Sequence, residues 1–149
     1  MKGFPDLPPI WFAGFCAAAW LLAGYMPLTV AFGPLWWGLG VLLALAGGGL
    51  IVWSALWFRR KRTTIEPHHV PSALITEGPY RLSRNPIYLG LLAMLTGYVL
   101  WLGMLSPVLL PVLFQQVLTR RFIEPEEERL IAAFGLEAKR YIQVTRRWL

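Results

Sequence analysis

Acidic and basic residues are absent from two long stretches of this 149-residue chain. No Asp, Glu, Lys or Arg occurs between Leu7 and Phe58, or between Asn85 and Thr119. A transmembrane helix needs about 20 mostly apolar residues, so the first stretch is long enough for two passes and the second for two short ones. An ion- or proton-coupled transporter almost always keeps an ionisable residue within the membrane. The lack of charge therefore argues against a small exporter.

Cysteine is nearly absent as well. Cys16 is the single cysteine, so the chain can form no intrachain disulfide and no cysteine-based metal cluster. The two histidines, His68 and His69, are adjacent, and neighbouring side chains seldom converge on one metal ion. We expect no metal site.

Proline and glycine interrupt the apolar stretches where helical hairpins would turn. This punctuation predicts membrane helices at residues 10–26, 34–58, 86–102 and 106–119. Within the second helix Gly40, Ala44 and Gly48 recur every four residues. Such a stripe of small residues predicts the close approach of another helix, with a lipid- or ligand-lined groove as the alternative.

Basic residues indicate the orientation of these helices. A run of four, Arg59-Arg60-Lys61-Arg62, directly follows the second helix, whereas the short turns on the opposite side carry no charge. The positive-inside rule then predicts that both termini and the central loop face the cytoplasm from a bacterial inner membrane. This topology, together with anionic lipid, accounts for the net charge of +6 without nucleic acid.

The C-terminal part, about residues 120–147, is predicted to be one amphipathic helix. Leu130, Phe134, Ala138, Tyr141 and Ile142 would share its apolar face. The expected fold is therefore an all-α polytopic membrane protein with about four transmembrane helices in two hairpins, a cytoplasmic loop and this helix. The whole chain, 1–149, forms one domain, in which 10–58 is the N-terminal hairpin and 59–149 carries the chemistry.

Polar groups suited to chemistry are concentrated in the central loop and at the start of the C-terminal helix. Pro86 fits the first turn of the third helix, where its missing N–H is harmless, and Asn85 and Tyr88 lie beside it. Three carboxylates, Glu126 to Glu128, follow Pro125, and one or two of them suffice to stabilise a helix start. A ligand site and a rigid loop lying in the lipid head groups explain this loop equally well.

The segments LITEGPYRLSRNPIYLG and, further on, EEERLIAAFG…Y…RRWL are the most distinctive of the chain. Together they resemble the isoprenylcysteine carboxyl methyltransferase and phospholipid methyltransferase superfamily, which consists of integral membrane enzymes. The resemblance covers roughly Thr63 to Leu149. It implies a methyltransferase that uses S-adenosylmethionine, releases S-adenosylhomocysteine and acts on a hydrophobic or lipid-like acceptor.

The resemblance also implies which residues would bind the cofactor. The segment before the 3rd helix would contact it through the backbone, Tyr80 would close over it, and Glu126 would bind it from the opposite side. The implied cofactor-binding residues are Ser72, Ala73, Leu74, Ile75, Tyr80, Asn85, Pro86, Ile87, Tyr88 and Glu126.

The chain departs from the family pattern at three positions. Asn85 stands where eukaryotic members carry histidine, Ala138 replaces a frequent tyrosine, and the arginine that orients the prenylcysteine substrate falls on Phe122. Phe122 and the neighbouring Arg121 are therefore the implied substrate-binding residues.

Methyl transfer is an in-line displacement at an already activated sulfonium, so alignment and exclusion of water matter most. If the acceptor carries a proton, His68, Tyr88 and Glu127 are the candidates for a general base. The alternative function is a non-catalytic membrane assembly or lipid-binding protein of the same fold.

Overall fold

The computed structural model describes residues 6–28, 33–61 and 74–149, and these residues form helices joined by turns, with no β-strand among them. The all-α prediction is thus confirmed for this part of the chain. The elements in chain order are α1 (Pro8–Tyr25), α2 (Pro34–Lys61), a 3₁₀ helix (Gly78–Arg81), α3 (Pro86–Leu102), α4 (Leu110–Leu118), a π-helix (Thr119–Ile123), α5 (Glu124–Phe134) and α6 (Leu136–Val144).

Two helices, Pro8–Tyr25 and Pro34–Arg60, are long and apolar enough to cross a membrane. They expose large apolar side chains: Trp20, Leu42 and Leu45 are 61%, 63% and 69% accessible. Apolar surface that the protein itself leaves uncovered is what a lipid-facing helix presents. The helix α3 is apolar but has only 17 residues, and a second membrane hairpin formed by α3 and α4 stays a prediction.

Helices α2 and α3 pack with their backbones in contact. A Cβ atom built on Gly40 would lie 2.5 Å from the carbonyl oxygen of Gly97, and one on Gly47 would lie 2.5 Å from that of Gly90. Because the residue numbers of the contacting pairs run in opposite directions, the two helices are antiparallel. Only glycine allows an approach this close.

The predicted small-residue stripe is confirmed at two of its three positions. Gly40 and Ala44 contact Gly97, but a Cβ atom on Gly48 would meet open space, so the close approach does not extend to Gly48. Gly48 instead lines a groove between α2 and α3 together with Gly40 and Ala44, which agrees with the alternative expectation at this position. The third contacting residue is Gly47. With 3.6 residues per turn, steps of four and then three residues stay on one helix face better than two steps of four.

The apolar core lies where α1, α3 and α4 meet. Leu95, Phe114 and Leu118 have no accessible surface. The rings of Phe12 and Phe15 on α1 lie 6.2 Å and 5.1 Å from that of Phe114. This core holds the first turn of α3 against the helix that carries Glu126.

The helix predicted at residues 106–119 begins later, at Leu110. Residues 105–109 form turns instead, in which the Val108 N–H donates to the Leu105 carbonyl and the Leu110 N–H to that of Pro107. Pro107 has no N–H and cannot continue a regular hydrogen-bond ladder, which favours a turn here.

The sequence suggested that a helix begins after Pro125. In the structure this is not so, because α4, the π-helix and α5 are continuous from Leu110 to Phe134. A proline inside an α-helix clashes with the carbonyl four residues earlier. The π-helix directly before Pro125 widens the turn, and the Glu124 N–H donates to Thr119, five residues back. The irregular turn therefore accommodates the proline without breaking the helix.

The prediction of one C-terminal helix at about 120–147 was also wrong, because Gly135 separates α5 from α6. Gly135 has φ 55° and ψ −121°, a backbone conformation that residues with a Cβ atom rarely adopt. Of the predicted apolar face, Ala138 and Tyr141 on α6 are buried. The chain then leaves the helix at Thr145 in an extended conformation.

Candidate functional site

The first turn of α3 and the first turn of α5 meet through one short hydrogen bond. Tyr88 is 7% exposed, and its hydroxyl donates to Oε1 of Glu126 at 2.6 Å. Pro86 starts α3 without leaving an N–H unsatisfied. The sequence-predicted residues Tyr88 and Glu126, 38 positions apart, are thus brought into direct contact.

Tyr80, on the 3₁₀ helix, also lies near Glu126. Its ring packs edge-on against Phe58, with 5.7 Å between the centroids, and the Tyr80 side chain is buried. Burial, together with the nearby Tyr141 and the Glu126 carboxylate, raises the pKa of Tyr80, which is therefore a neutral phenol. Within the described residues, no hydrogen bond engages the Tyr80 hydroxyl, so it is available to a ligand.

The position of Tyr80 depends on a glycine two residues earlier. Gly78 has φ 61°, and a Cβ atom there would lie 2.7 Å from Cε2 of Trp57. The Gly78-Pro79 turn therefore lets the segment lie directly on the indole of α2, which places the next residues beside α3.

The Glu126 carboxyl has an unusual electrostatic environment. Loss of solvation raises its pKa to about 7, although the hydrogen bond from Tyr88 and the nearby Arg129 oppose this shift; the Glu127 carboxylate adds to it. Glu126 therefore changes its charge near neutral pH. Its ionised form is poorly solvated in the free protein. A cation or a hydroxyl donor that supplies the missing interactions would therefore bind to it favourably.

This shift predicts a pH dependence of stability. A carboxyl whose pKa is higher in the folded state stabilises the fold at low pH, and this contribution is lost as the pH rises through about 7. We expect Glu126→Gln, which stays neutral, to be more stable than the wild type at pH 8, by up to about 3 kcal/mol, and equal to it near pH 5. Thermal melts in detergent from pH 5 to pH 8 measure this difference. Glu128→Gln removes an exposed carboxylate of the same turn and controls for the loss of one charge; equal melting temperatures of Glu126→Gln and wild type at pH 8 would contradict the prediction.

Asn85 is buried, and its side-chain amide binds the C-terminal backbone. The Asn85 Nδ2 atom donates to the backbone carbonyl of Arg147 at 3.0 Å, and Asn85 makes no side-chain cap of α3. Its neighbours Pro86 and Ile87 start α3, the former buried and the latter partly buried. Of the other predicted cofactor residues, Ile75 is buried and Leu74 partly buried.

Three predicted positions lie outside the described residues. These are Ser72, Ala73 and His68.

Glu127, a candidate base, is held between two arginines. Its carboxylate lies 3.1 Å from Nη2 of Arg84 and 2.6 Å from Nη2 of Arg147. Both of its oxygens are therefore engaged in ion pairs, an arrangement typical of a structural carboxylate rather than of a proton acceptor.

The two predicted substrate residues point in different directions. Phe122 is 1% exposed in the apolar core, with its ring centroid 6.3 Å from that of Tyr88. The Arg121 guanidinium instead binds both carboxylate oxygens of Asp6, with Nε 2.8 Å from each, and lies 5.3 Å from the Trp11 ring. Phe122 thus lies near the Tyr88–Glu126 pair, whereas Arg121 attaches the π-helix to the start of α1.

Residues that sequence reasoning did not assign to the site also take part in it. Tyr141 donates from its hydroxyl to the Tyr80 carbonyl at 2.8 Å, and Ser83 donates to the Arg147 carbonyl at 3.0 Å. These partners are 61 and 64 residues apart in sequence. No local pattern indicates such contacts. Among the described residues, no group of His, Cys, Asp and Glu side chains is arranged to hold a metal ion.

Comparisons with known proteins indicate the family of the chain. The family model for phospholipid methyltransferases matches residues 35–137, a span that contains Tyr80, Tyr88 and Glu126. An uncharacterized protein of Haemophilus influenzae is 41% identical over 63 residues, which is 42% of this chain and the whole of that relative. No solved structure matches the chain significantly.

The matched span covers more than half of the chain and includes both halves of the site. It indicates methyltransferase activity and, with the two apolar helices, a membrane protein. The resemblance seen in the sequence is thereby confirmed: the chain belongs to the phospholipid methyltransferase family, within the superfamily that also contains the isoprenylcysteine carboxyl methyltransferases.

Proposed function

We propose that this protein is an S-adenosylmethionine-dependent methyltransferase that methylates a lipid-like or hydrophobic acceptor at the membrane. The observation that carries the proposal is the Glu126 carboxylate, which lies against Tyr88 and faces Tyr80 where α3, α5 and the 3₁₀ helix meet. Membership of a methyltransferase family supplies the reaction class.

The groups around Glu126 suit this cofactor. A carboxylate accepts charge-assisted hydrogen bonds from ribose hydroxyls or an ammonium group. A sulfonium cation placed over the rings of Tyr80 and Tyr88 would be attracted by the ring quadrupole, as aromatic cages attract quaternary ammonium groups. Ile75, a buried residue of the segment before the 3₁₀ helix, would offer the apolar surface that an adenine ring needs.

Each residue then has a specific role. Glu126 accepts hydrogen bonds from the cofactor, and Tyr88 orients the Glu126 carboxylate. Tyr80 closes the site against water and offers its hydroxyl, while Ser72 to Ile75 would contact the adenine through the backbone. When bound, S-adenosylmethionine supplies a methyl group already activated on sulfur, so these residues mainly have to align donor and acceptor.

The ion pairs of Glu127 remove it from our candidates for a general base. Tyr88 already donates its hydroxyl proton to Glu126, which leaves His68 as the base candidate for an acceptor that carries a proton.

The acceptor would reach the site from the bilayer and the cofactor from the cytoplasm. We place the protein in the bacterial inner membrane with both termini and the cofactor site on the cytoplasmic side, because the basic residues flank that side of the helices. Phe122 is 1% exposed and packs near the Tyr88 ring, so it would support that side of the site from behind rather than contact the acceptor directly.

Titration of the detergent-purified protein with S-adenosylhomocysteine tests the cofactor, and methyl-labelled S-adenosylmethionine with lipid vesicles tests the acceptor. We expect micromolar binding and transfer of label to phosphatidylethanolamine, but none to phosphatidylcholine, whose nitrogen is already quaternary. Binding without transfer would exclude a lipid amine and retain the cofactor. A folded protein that does not bind would instead be a non-catalytic assembly or lipid-binding member of the family.

A further inference from the structure

The last residues of the chain pack against the segment that precedes α3. The Arg147 carbonyl accepts hydrogen bonds from the Ser83 hydroxyl and the Asn85 amide, both at 3.0 Å. The Ser83 oxygen also accepts from the Asn85 backbone N–H at 3.1 Å. Ser83 has no accessible surface, so these polar atoms cannot turn to water if the Arg147 carbonyl is displaced. The orientation of Asn85 therefore depends on the position of Arg147.

The Arg147 side chain fixes that position. Its Nε and Nη2 atoms lie 3.1 Å and 2.6 Å from the two oxygens of Glu127, and its Nη1 lies 3.4 Å from Glu124. A guanidinium that binds both oxygens of one carboxylate has a defined orientation, unlike a single-point contact. Glu127 directly follows Glu126 on α5, so Arg147 connects the start of α3 to the turn that carries the candidate cofactor ligand.

Further contacts extend this connection along the segment. The Arg84 N–H donates to the Arg146 carbonyl at 2.9 Å, and the Arg84 side chain donates to the Ile142 carbonyl at 3.0 Å. Trp148 packs against the apolar core that includes Tyr88. The C-terminal residues thus contact the backbone or side chain of three successive residues, 83–85, before α3.

We propose that residues 141–148, which we call the C-terminal clasp, hold the segment from Tyr80 to Asn85 in place beside the turn of α5 that carries Glu126, with Arg147 as the positioning residue. This inference rests on the proposed function, since it concerns the same cofactor site. The Arg147 guanidinium binds Glu127 rather than Glu126, so it acts on the site through the residues that it holds in place.

Hydrogen exchange of Arg147→Ala tests the clasp without any ligand. We expect the amides of residues 80–88 to exchange at least about 10-fold faster than in the wild type, because the clasp no longer opposes local opening. Arg146→Ala is the matched control: the Arg146 side chain is exposed, and alanine keeps the carbonyl that Arg84 uses. Wild-type exchange of residues 80–88 in Arg147→Ala would overturn the proposal.

Calorimetric titration with S-adenosylhomocysteine separates positioning from a general loss of folded protein. A positioning role raises the Kd of Arg147→Ala by about 10-fold at unchanged stoichiometry, and Arg147→Lys, which keeps one ion pair, recovers part of the affinity. A lower stoichiometry at unchanged Kd would overturn it. Ser83→Ala removes only the hydroxyl bridge and provides a milder variant, with a Kd about threefold higher. If the wild type does not bind, the proposed function fails, and hydrogen exchange still decides on the clasp.

Discussion

Glu126→Gln is expected to weaken the binding of S-adenosylhomocysteine by about 10- to 100-fold. Hydrogen bonds to a charged group contribute about 1.5–3 kcal/mol, and a neutral amide loses most of that contribution for each donor of the ligand. The same substitution stabilises the free protein above pH 7. The wild-type carboxyl is ionised there, and its burial removes water that would otherwise solvate the charge. Weaker binding by a more stable protein cannot be attributed to unfolding.

The affinity of the wild type should also depend on pH. With a pKa of about 7, Glu126 is largely protonated at pH 6 and largely ionised at pH 8. If the ligand needs the carboxylate, affinity rises with pH through this range in the wild type and stays flat in Glu126→Gln. The groups facing this carboxyl, Tyr80, Tyr88, Arg129 and Glu127, are the same in both proteins, so the difference reports on Glu126 itself.

Titration calorimetry at several pH values makes this measurement, with two controls. Tyr88→Phe keeps the ring but removes the hydroxyl that orients Glu126, and should cost about 3- to 10-fold in affinity. Tyr98→Phe makes the same change on α3 beside Trp101, where it should have no effect on binding. Undiminished binding by Glu126→Gln would place the cofactor elsewhere in the protein.

Gly97→Leu is expected to prevent the folding of the membrane domain. A Cβ atom at this position would clash with the Gly40 carbonyl oxygen and lie 2.8 Å from the Ala44 nitrogen. Both are backbone atoms, which cannot move aside without separating α2 from α3. Overpacking of a side-chain core costs about 1–3 kcal/mol, and a clash with two backbone segments costs more. Since α3 begins directly after Asn85 and carries Tyr88, the site would be lost together with the helix pair.

The matched control for this prediction is Gly48→Ala. It places a methyl group on the same helix pair where nothing lies within 4 Å. Alanine has the better helix propensity, so this variant should be as stable as the wild type or more stable by up to about 1 kcal/mol. Size-exclusion chromatography and tryptophan-monitored melts in detergent compare the variants; a monodisperse, cooperatively melting Gly97→Leu would refute the close packing of the two helices.

Much of the architecture follows from local pattern in the sequence. Runs of apolar residues without charge dictate helices, and proline positions dictate where α2 and α3 begin. These features depend on the preferences of consecutive residues, which the sequence contains directly. The stripe at Gly40 was equally visible, although its strict four-residue spacing placed the last member at Gly48, one residue too late. The π-helix before Pro125 was not visible in the sequence. The widened turn avoids the clash of Pro125 with the preceding turn, and it forms only when packing holds the helix on both sides.

For the site, the sequence by itself determined the chemical identity of the parts: the motif around Tyr80 and Tyr88, and the carboxylate at Glu126. The tertiary structure alone decided how they meet. In the folded chain the Tyr88 hydroxyl binds Glu126, two arginines bind Glu127, and the Asn85 amide binds the Arg147 carbonyl. Three adjacent glutamates are equivalent as a pattern, but helical rotation points neighbouring side chains about 100° apart. Contacts with partners about 20 to 40 residues away in sequence then fix which of them becomes the desolvated acid and which the structural one.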